Sequence, residues 1–383
     1  MSSNFWGRDF FLLLGVSFVF LLVQLVQPYT VRANTNPNNE TGKSTITKIT
    51  SQEAITNEVN WITSLQKQNG AVVMSPTYSI ENINPYFANI TLTALAKASD
   101  GEYTNEIKQY VDWYFTHLNM PDRFGLYGTV YDYQIDKMGR ETTNKHYDSA
   151  DSYAATFISL LRAYAESGGD LEYLRSHKYE IDIIGGVMIK LMDKDHLTWA
   201  KPNYKVKYLM DNSEVYKGLK DMVYIYEHVF KDKKGAQWYR IHATNVQKAI
   251  LKHMRNGNEF YYAITSSSKM KANWSKWYPD STAQLFPIAF EVISPKDPLS
   301  QKIYSTFNKS HTNWHHLKTS DSFPWVFVGY ASSLMNDTVR VSTFSDQLHS
   351  KYIHNNRKWP WYNVESAWYI LMNNQTLSSL NEW

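Results

Sequence analysis

The sequence predicts an all-α fold, an (α/α)6 toroid of six helical hairpins. Segments with helical periodicity run from Ser51 onward and are separated by breaks rich in Gly, Pro and Asn. The segments fall into pairs, and the two members of a pair differ. The first is amphipathic and the second is apolar on almost every side, so an outer ring of helices around a buried inner ring satisfies both patterns.

The predicted helices form six successive pairs. Residues 105–113 show the charged face of an outer helix, whereas Val326 to Leu334 is almost entirely apolar. Short alternating stretches around 126–134 and 259–264 predict β-hairpins in the loops at one end of the toroid. In chain order the pairs are 51–69 with 85–99, 103–118 with 149–166, 171–193 with 212–230, 233–256 with 281–293, 298–308 with 322–335, and 339–355 with 364–374.

Composition narrows the classes of function. The chain has 383 residues, of which 43% are hydrophobic and 15% aromatic, and a net charge of only +3. Such a mild charge does not predict a nucleic-acid partner. The absence of cysteine excludes disulfides and thiolate catalysis. The many Trp and Tyr side chains suit either a wide aromatic core or a groove that stacks on sugars.

The N-terminus predicts export. Residues 1–33 contain a basic residue, a long apolar run, and then Val31 and Ala33 at the spacing of a signal-peptidase site. The apolar run is near the lower length limit for a membrane span, so a retained signal anchor is the alternative. Residues 34–50 are expected to be a flexible lead-in and 51–383 a single domain. We expect a secreted monomer, held at a membrane only if the first segment stays uncleaved.

The predicted inner helices share a way of starting. An Asp or Asn opens each of them, at intervals of 64, 63, 69, 41 and 42 residues. These residues are good N-caps, and capping alone is one explanation for them. The toroid, however, brings all inner-helix N-termini to one mouth, which predicts an acidic cleft there. The openings are Asn84, Asp148, Asp211, Asp280, Asp321 and Asn363.

Paired carboxyl groups are the most plausible catalytic groups of this cleft. Cleavage of a glycosidic bond usually needs one carboxyl group as proton donor and a second as base or nucleophile. We predict Glu214 as the acid and Asp151 as the base, because each lies about one turn inside an inner helix. Asp211 is the third catalytic candidate. For each of them a buried polar contact within the ring of helices is the structural alternative.

Aromatic and acidic residues around the mouth are candidates for binding sugar. The longest connections, 119–147, 194–210 and 257–279, are rich in Tyr and Trp, and long loops in a compact domain are usually functional. The predicted substrate-binding residues are Tyr86, Asp132, Asp148, Tyr153, Trp199, Asp280, Asp321, Trp325, Trp361 and Glu365.

Other chemistries lack their signatures. His311 and His315 have a spacing that binds metal on a helix, but they lie in a polar stretch that is not predicted to be helical. A glycine-rich phosphate loop and the Gly-x-Ser-x-Gly motif are both missing from the sequence. We therefore expect neither a metal nor a cofactor.

Over residues 51–375 the sequence resembles the six-hairpin glycosidase superfamily. The resemblance is carried by Ile-Asn-Pro-Tyr-Phe-Ala-Asn at 83–89, Asp-Ser-Ala-Asp-Ser-Tyr at 148–153, Trp-Tyr-Pro-Asp-Ser-Thr-Ala-Gln at 277–284 and Phe-Pro-Trp-Val-Phe-Val-Gly at 323–329. A more distant resemblance is to glycoside hydrolase family 8, whose inverting enzymes act on β-linked glucans, chitosan or xylan. That family has a Glu proton donor at the start of the first inner helix, where this chain has Asn-Pro-Tyr.

The resemblance and the carboxyl pattern together predict an exported glycoside hydrolase. Its expected partner is a polysaccharide or oligosaccharide, such as an exopolysaccharide or a cell-wall glycan. Two alternatives stay open, because the expected donor is missing. The first is a catalytically inactive carbohydrate-binding protein, and the second is a polysaccharide lyase with Tyr86 or Tyr153 as base.

Overall fold

The computed structural model describes residues 51–77 and 79–380, which all belong to one compact unit that spans residues 50–383. The predicted signal segment 1–33 and the lead-in 34–50 lie outside the described residues. Among the described residues, no helix is both long enough and apolar enough to cross a membrane.

The described helices form two concentric rings. The outer ring consists of α1 (Ser51–Ser64), α3 (Thr104–Thr116), α5 (Leu171–Ser176) with α6 (Lys178–Lys190), α8 (Lys233–Ala249), α10 (Pro298–Ser310) and α12 (Thr338–Leu348). The inner ring consists of α2 (Pro85–Ala98), α4 (Ala150–Glu166), α7 (Leu209–Tyr224), α9 (Phe286–Ala289), α11 (Val326–Leu334) and α13 (Asn363–Leu380). The fold is an (α/α)6 toroid, as the sequence predicts.

The inner ring closes on itself. Helix α2 packs against α4, α4 against α7, α7 against α9, α9 against α11, α11 against α13, and α13 returns to α2. Between α4 and α7 the backbones approach so closely that a Cβ atom at Gly218 would lie 2.7 Å from the Cα atom of Ala155. Glycine at this position therefore allows the two helices that carry most of the candidate catalytic residues to pack tightly.

The fourth inner helix differs from its prediction. Instead of a continuous helix over 281–293, the chain forms a π-helical turn at Trp277–Ser281, a 3₁₀ turn at Thr282–Leu285 and the four-residue α9. Pro279 and Pro287 lack backbone N–H groups, and the residue before a proline is biased toward extended backbone, as Tyr278 is. The third outer helix is likewise divided into α5 and α6 at His177.

Two small antiparallel sheets lie in the connections between helices. The first contains β1 (Ile80–Ile83), β2 (Tyr133–Asp136) and β3 (Glu141–Thr142), so the predicted hairpin at 126–134 lies further along the chain. The second contains β4 (Val206–Tyr208), β5 (Arg255–Asn256), β6 (Glu259–Thr265) and β7 (Lys269–Lys271). β1 runs directly into α2 and β4 directly into α7, so the sheets fix where these inner helices begin.

Candidate active site

Five carboxyl groups lie close together around the starts of α4 and α7. Their mutual influence is visible in the pKa values, because Asp148 raises that of Asp211, and Asp211 raises that of Glu214 in addition to the effect of burial. The Ser149 hydroxyl donates a 3.0 Å hydrogen bond to Asp211 Oδ2 and so links the two helices. We call this group the carboxyl cluster, and its members are Asp132, Asp148, Asp151, Asp211 and Glu214.

Helix capping does not account for the cluster. Among the helix-opening residues, Asn84 is a true N-cap, since its Oδ1 accepts a 3.0 Å hydrogen bond from the N–H of Phe87. The N-cap positions of α4 and α7 are instead Ser149 and Tyr208. Asp148 and Asp211 therefore lie beside the caps rather than in them, and the capping explanation is wrong for both.

Glu214 is a buried acid that contacts the Tyr86 hydroxyl. Its side chain is 2% exposed, and its Oε1 accepts a 2.5 Å hydrogen bond from the Tyr86 hydroxyl. Burial, together with the charge of Asp211, raises the pKa of Glu214 to about 8. The group is therefore mostly protonated at neutral pH. The Tyr86 ring is held in turn against the Tyr153 ring, with centroids 6.1 Å apart.

Asp148 and Asp211 are more acidic than Glu214. Burial raises the pKa of Asp148 to about 6, and the nearby charge of Lys201 opposes that rise. Burial and the charge of Asp148 raise the pKa of Asp211 to about 7. Asp148 is half-buried, whereas Asp211 is buried. At neutral pH Asp148 is therefore mostly ionised and partly accessible, whereas Glu214 is mostly protonated.

Asp132 reaches the cluster from the first sheet. The β1–β2 register pairs Ile83 with Tyr133, which brings the neighbouring Asn84 and Asp132 together. Asp132 Oδ1 accepts hydrogen bonds from Asn84 Nδ2 (3.1 Å) and from the Tyr153 hydroxyl (2.9 Å). Burial raises the pKa of Asp132 to about 7. Tyr86, Asp132 and Tyr153 thus lie together beside the start of α4, and their role in binding sugar stays a prediction.

Asp151 lies behind the cleft rather than in it. The residue is fully buried. Its Oδ2 accepts a 2.6 Å hydrogen bond from the Thr198 hydroxyl, and its Oδ1 accepts one of 2.9 Å from the N–H of Ser152. Such a carboxyl group has no free face for a water molecule or a sugar. The predicted role of Asp151 as a base that touches substrate is therefore inconsistent with its position, and positioning of the Thr198 loop fits better.

Three further predicted carboxylates have local structural partners. Asp280 is buried, and its Oδ1 accepts a 2.8 Å hydrogen bond from the N–H of Asn273. Glu365 is buried, and its Oε2 accepts a 2.8 Å bond from the N–H of Val326, the first residue of α11. Asp321 accepts a 2.8 Å bond from the indole N–H of Trp325. The first two therefore stabilise a loop and a helix start, and Asp321 orients an aromatic side chain.

The predicted tryptophans have separate locations. Trp361 is fully buried, and its indole N–H donates a 2.8 Å hydrogen bond to Ser366, so it belongs to the core and is no longer a candidate for binding sugar. Trp325 is half-buried beside Tyr278, with ring centroids 4.8 Å apart. Trp199 lies in a separate pocket next to the cluster.

Sequence reasoning missed two residues of the site, Tyr278 and Lys201. Burial raises the pKa of Tyr278 above its usual range, and the charges of Asp148 and Asp211 add to that rise. The Tyr278 hydroxyl therefore lies close to these two carboxyl groups. Its position within the Trp-Tyr-Pro-Asp motif was a usable signal. The charge of Lys201 lowers the pKa of Asp148 and Asp132 against the effect of burial. Nothing in its local sequence distinguishes this lysine from others.

No metal site is apparent in the described ranges 51–77 and 79–380, which contain no group of three or more His, Asp or Glu that could hold an ion. His311 instead shares a 2.9 Å hydrogen bond with the Ser281 hydroxyl and packs against Trp277, with ring centroids 5.0 Å apart.

Comparison with known proteins identifies the fold. No protein-family model and no curated protein sequence matches the chain. Among solved structures, it is similar to a glycosidase variant in complex with glucose (TM-score 0.60, 10% identity, 85% of this chain and 96% of that one). It is also similar to a GH76 α-mannanase of Bacteroides thetaiotaomicron (TM-score 0.55, 12% identity, 87% of this chain and 98% of that one). A third similar structure is an α-amylase from Clostridium perfringens (TM-score 0.57, 9% identity, 85% of this chain and 98% of that one). The chain thus has the helical-toroid fold of these glycosidases.

Proposed function

We propose that the protein is an exported glycoside hydrolase that cleaves a polysaccharide by general acid and base catalysis at the carboxyl cluster. One observation carries the proposal. Glu214, with a pKa raised to about 8, and the half-buried Asp148, with a pKa raised to about 6, both lie close enough to Tyr278 to raise the pKa of its hydroxyl. At neutral pH this pair offers one protonated and one ionised carboxyl group, which is the division of roles that glycosidic cleavage requires.

In the proposed reaction Glu214 is the acid. It donates its proton to the glycosidic oxygen while the bond between that oxygen and the anomeric carbon breaks. The Tyr86 hydroxyl, 2.5 Å from Glu214 Oε1, orients the carboxyl group and stabilises the carboxylate left after proton transfer. The charge of Asp211 opposes that ionisation and so keeps the proton on Glu214 until it is needed.

Asp148 is the proposed base, in place of Asp151. Its carboxylate either takes a proton from the attacking water or attacks the anomeric carbon itself. Accessibility supports the choice, because Asp148 is half-buried whereas Asp151 is fully buried and has both carboxyl oxygens engaged. Lys201 favours the ionised form of Asp148 at neutral pH.

A lyase reaction is less well supported. It would need Tyr86 or Tyr153 as a base, but burial and neighbouring carboxyl groups raise the pKa of both phenols above their usual value. An inactive binding protein would have no need of a protonated acid beside an ionised one. The similar solved structures are also described as glycosidases, α-mannanase and α-amylase.

The proposed substrate is an extracellular glycan such as an exopolysaccharide or a cell-wall polysaccharide. The apolar run and cleavage-site pattern within residues 1–33 support export, either as a secreted protein or as one anchored by that segment. The aromatic surface formed by Trp325 and Tyr278 suits the apolar face of a sugar ring.

The test is hydrolysis of a panel of bacterial exopolysaccharides and cell-wall glycans, followed by release of reducing ends. We expect the protein to cut at least one glycan, and Glu214→Gln and Asp148→Asn to bind it without cutting it. If the wild-type protein binds a glycan but cuts none, the inactive binding protein is the better description. If cleavage leaves an unsaturated sugar that absorbs near 235 nm, the reaction is elimination.

A further inference from the structure

A concave site lies between the loops around Phe124 and Trp199. It is a cavity of about 390 Å³, walled by the loop around Phe124 on one side and by the loop around Trp199 on the other. Lys190 and Lys205 also line it, together with Gly125, Leu126, Leu191, Met192 and Pro202. The hydrolytic mechanism proposed above uses none of these residues.

The first wall is rigid. Asp122 is 7% exposed, and its Oδ1 accepts hydrogen bonds from the N–H groups of Phe124 (2.8 Å) and Leu126 (2.9 Å). Its Oδ2 accepts bonds from the hydroxyls of Thr129 (3.0 Å) and Tyr147 (2.6 Å). Four hydrogen bonds to one buried carboxylate hold this turn in a single shape, so the cavity wall is formed before any ligand arrives.

The second wall is equally well fixed. The N–H of Trp199 donates a 3.0 Å hydrogen bond to the carbonyl of Leu191. The Lys207 ammonium group lies 4.1 Å from the centroid of the Trp199 ring and covers one of its faces. Asp193 and Asp195 both pair with Lys207, at 2.7 Å each, so the Lys207 charge is more than neutralised and is not available to a ligand. The opposite face of the Trp199 ring is the one left for a ligand.

The charged side chains that line the cavity are both lysines. Lys190 and Lys205 are exposed, and neither has an ion pair with any described residue. Two ammonium groups without a carboxylate partner, in a cavity that also contains the Trp199 ring, match a sugar that carries a negative charge.

Both walls continue directly into the carboxyl cluster. Tyr147, which holds Asp122, precedes Asp148 in the chain, and Thr198, which holds Asp151, precedes Trp199. The carbonyl of Ala200 also accepts a 2.8 Å hydrogen bond from the N–H of Ala150 at the start of α4. Both walls of the cavity are therefore joined through the chain to the start of α4.

We propose that this cavity binds a negatively charged sugar residue of the glycan, with Trp199 stacking on the ring and Lys190 and Lys205 pairing with its carboxylate or phosphate. The proposal rests on the proposed function in one respect, because the charged sugar belongs to the chain held at the carboxyl cluster. It identifies the substrate class as an acidic polysaccharide.

Affinity electrophoresis tests this proposal with the Glu214→Gln protein, so that no polymer is cut during the run. The gels contain polygalacturonate or alginate as carboxylate polymers, phosphomannan as a phosphate polymer, and xyloglucan as a neutral one. We expect retardation by at least one acidic polymer and weaker retardation at high salt. Adding Lys190→Gln with Lys205→Gln should raise the Kd for that polymer about fivefold, and Trp199→Ala should raise it further.

The matched control is Lys302→Gln with Lys309→Gln, which removes the same charge from exposed positions on α10. An equal effect of both double variants overturns the proposal, as does retardation by xyloglucan alone or by no polymer. Failure of the hydrolase proposal is a separate outcome. In that case no glycan is cut, yet acidic polymers still bind in a way that depends on Lys190 and Lys205. If the protein cuts a neutral glycan and the Lys190→Gln with Lys205→Gln variant binds that glycan as well as the parent does, only the proposal of an acidic-sugar site is refuted.

Discussion

Replacing Glu214 with Gln tests the assignment of the acid with little disturbance of shape. The side chain is 2% exposed, and the amide can still accept the hydrogen bond that Tyr86 donates at 2.5 Å. It has no acidic proton to give to a leaving group. The substitution also removes the group whose pKa is raised to about 8, so the variant has nothing to ionise there.

The expected loss of activity follows from the role of Glu214 as general acid. General acid catalysis contributes roughly 10²- to 10⁴-fold, so kcat/KM on a polysaccharide should fall by that factor, or about 2.7–5.4 kcal/mol of transition-state stabilisation. The loss depends on the leaving group. On a 2,4-dinitrophenyl glycoside, whose leaving group departs without a proton, the same variant should lose less than about tenfold.

The assay compares kcat/KM for both kinds of substrate, with Glu172→Gln on the outer helix α5 as control. The Glu172 side chain is 82% exposed, and its removal should change neither value. Equal losses of Glu214→Gln on both substrates would refute a role in proton donation. So would a loss of less than about tenfold on the polysaccharide.

Three further predictions concern the neighbours of Glu214. Asp148→Asn should lower kcat/KM at least about a hundredfold. Asp151→Asn should lower kcat/KM less than about tenfold but should also lower the Tm, because Asp151 accepts a hydrogen bond from Thr198 and does not contact substrate. Tyr86→Phe removes a hydrogen bond that lowers the pKa of Glu214, so the alkaline limb of the pH–rate profile should move to higher pH. The free energy of unfolding measured in urea should fall as pH rises from about 4.5 to 8. The reason is that Glu214 and Glu365, both with a pKa raised to about 8, stay protonated in the folded protein over a range in which they ionise in the unfolded chain. Glu365→Gln should make this fall with pH less steep.

Each of these expectations has a contrary result. A larger activity loss in Asp151→Asn than in Asp148→Asn would restore Asp151 as the base. An alkaline limb that moves to lower pH in Tyr86→Phe would mean that Tyr86 stabilises the protonated acid. A free energy of unfolding that stays constant or rises between about pH 4.5 and 8 would contradict raised pKa values for these carboxyl groups in the folded protein.

The helical rings could be predicted because the physical signal is local. Whether a helix is apolar on one side or on all sides is written in its own residues, and this assigned the outer and inner rings correctly. The fourth inner helix could not be predicted as well. Pro279 and Pro287 interrupt it, and the length of α9 depends on packing against α7 and α11 rather than on local propensity.

The clustering of carboxyl groups was predictable, but the contacts of each member were not. Recurring Asp residues at inner-helix starts indicated the end of the toroid where the carboxyl cluster lies, and they included Asp148 and Asp211. The difference between Asp148 and Asp151 depends on which side of α4 faces Thr198, a residue 47 positions away from Asp151. The core location of Trp361 and the influence of Lys201 on Asp148 also arise from contacts that no local pattern encodes.

The roles of Glu214 and Asp148 can be seen in a crystal structure of the Glu214→Gln protein with an oligosaccharide from whichever glycan the wild-type protein cuts. We expect a glycosidic oxygen within about 2.6–3.2 Å of the amide at position 214, with Asp148 facing the anomeric carbon or a water beside it. A sugar chain whose glycosidic bonds all lie beyond reach of both residues would refute these roles.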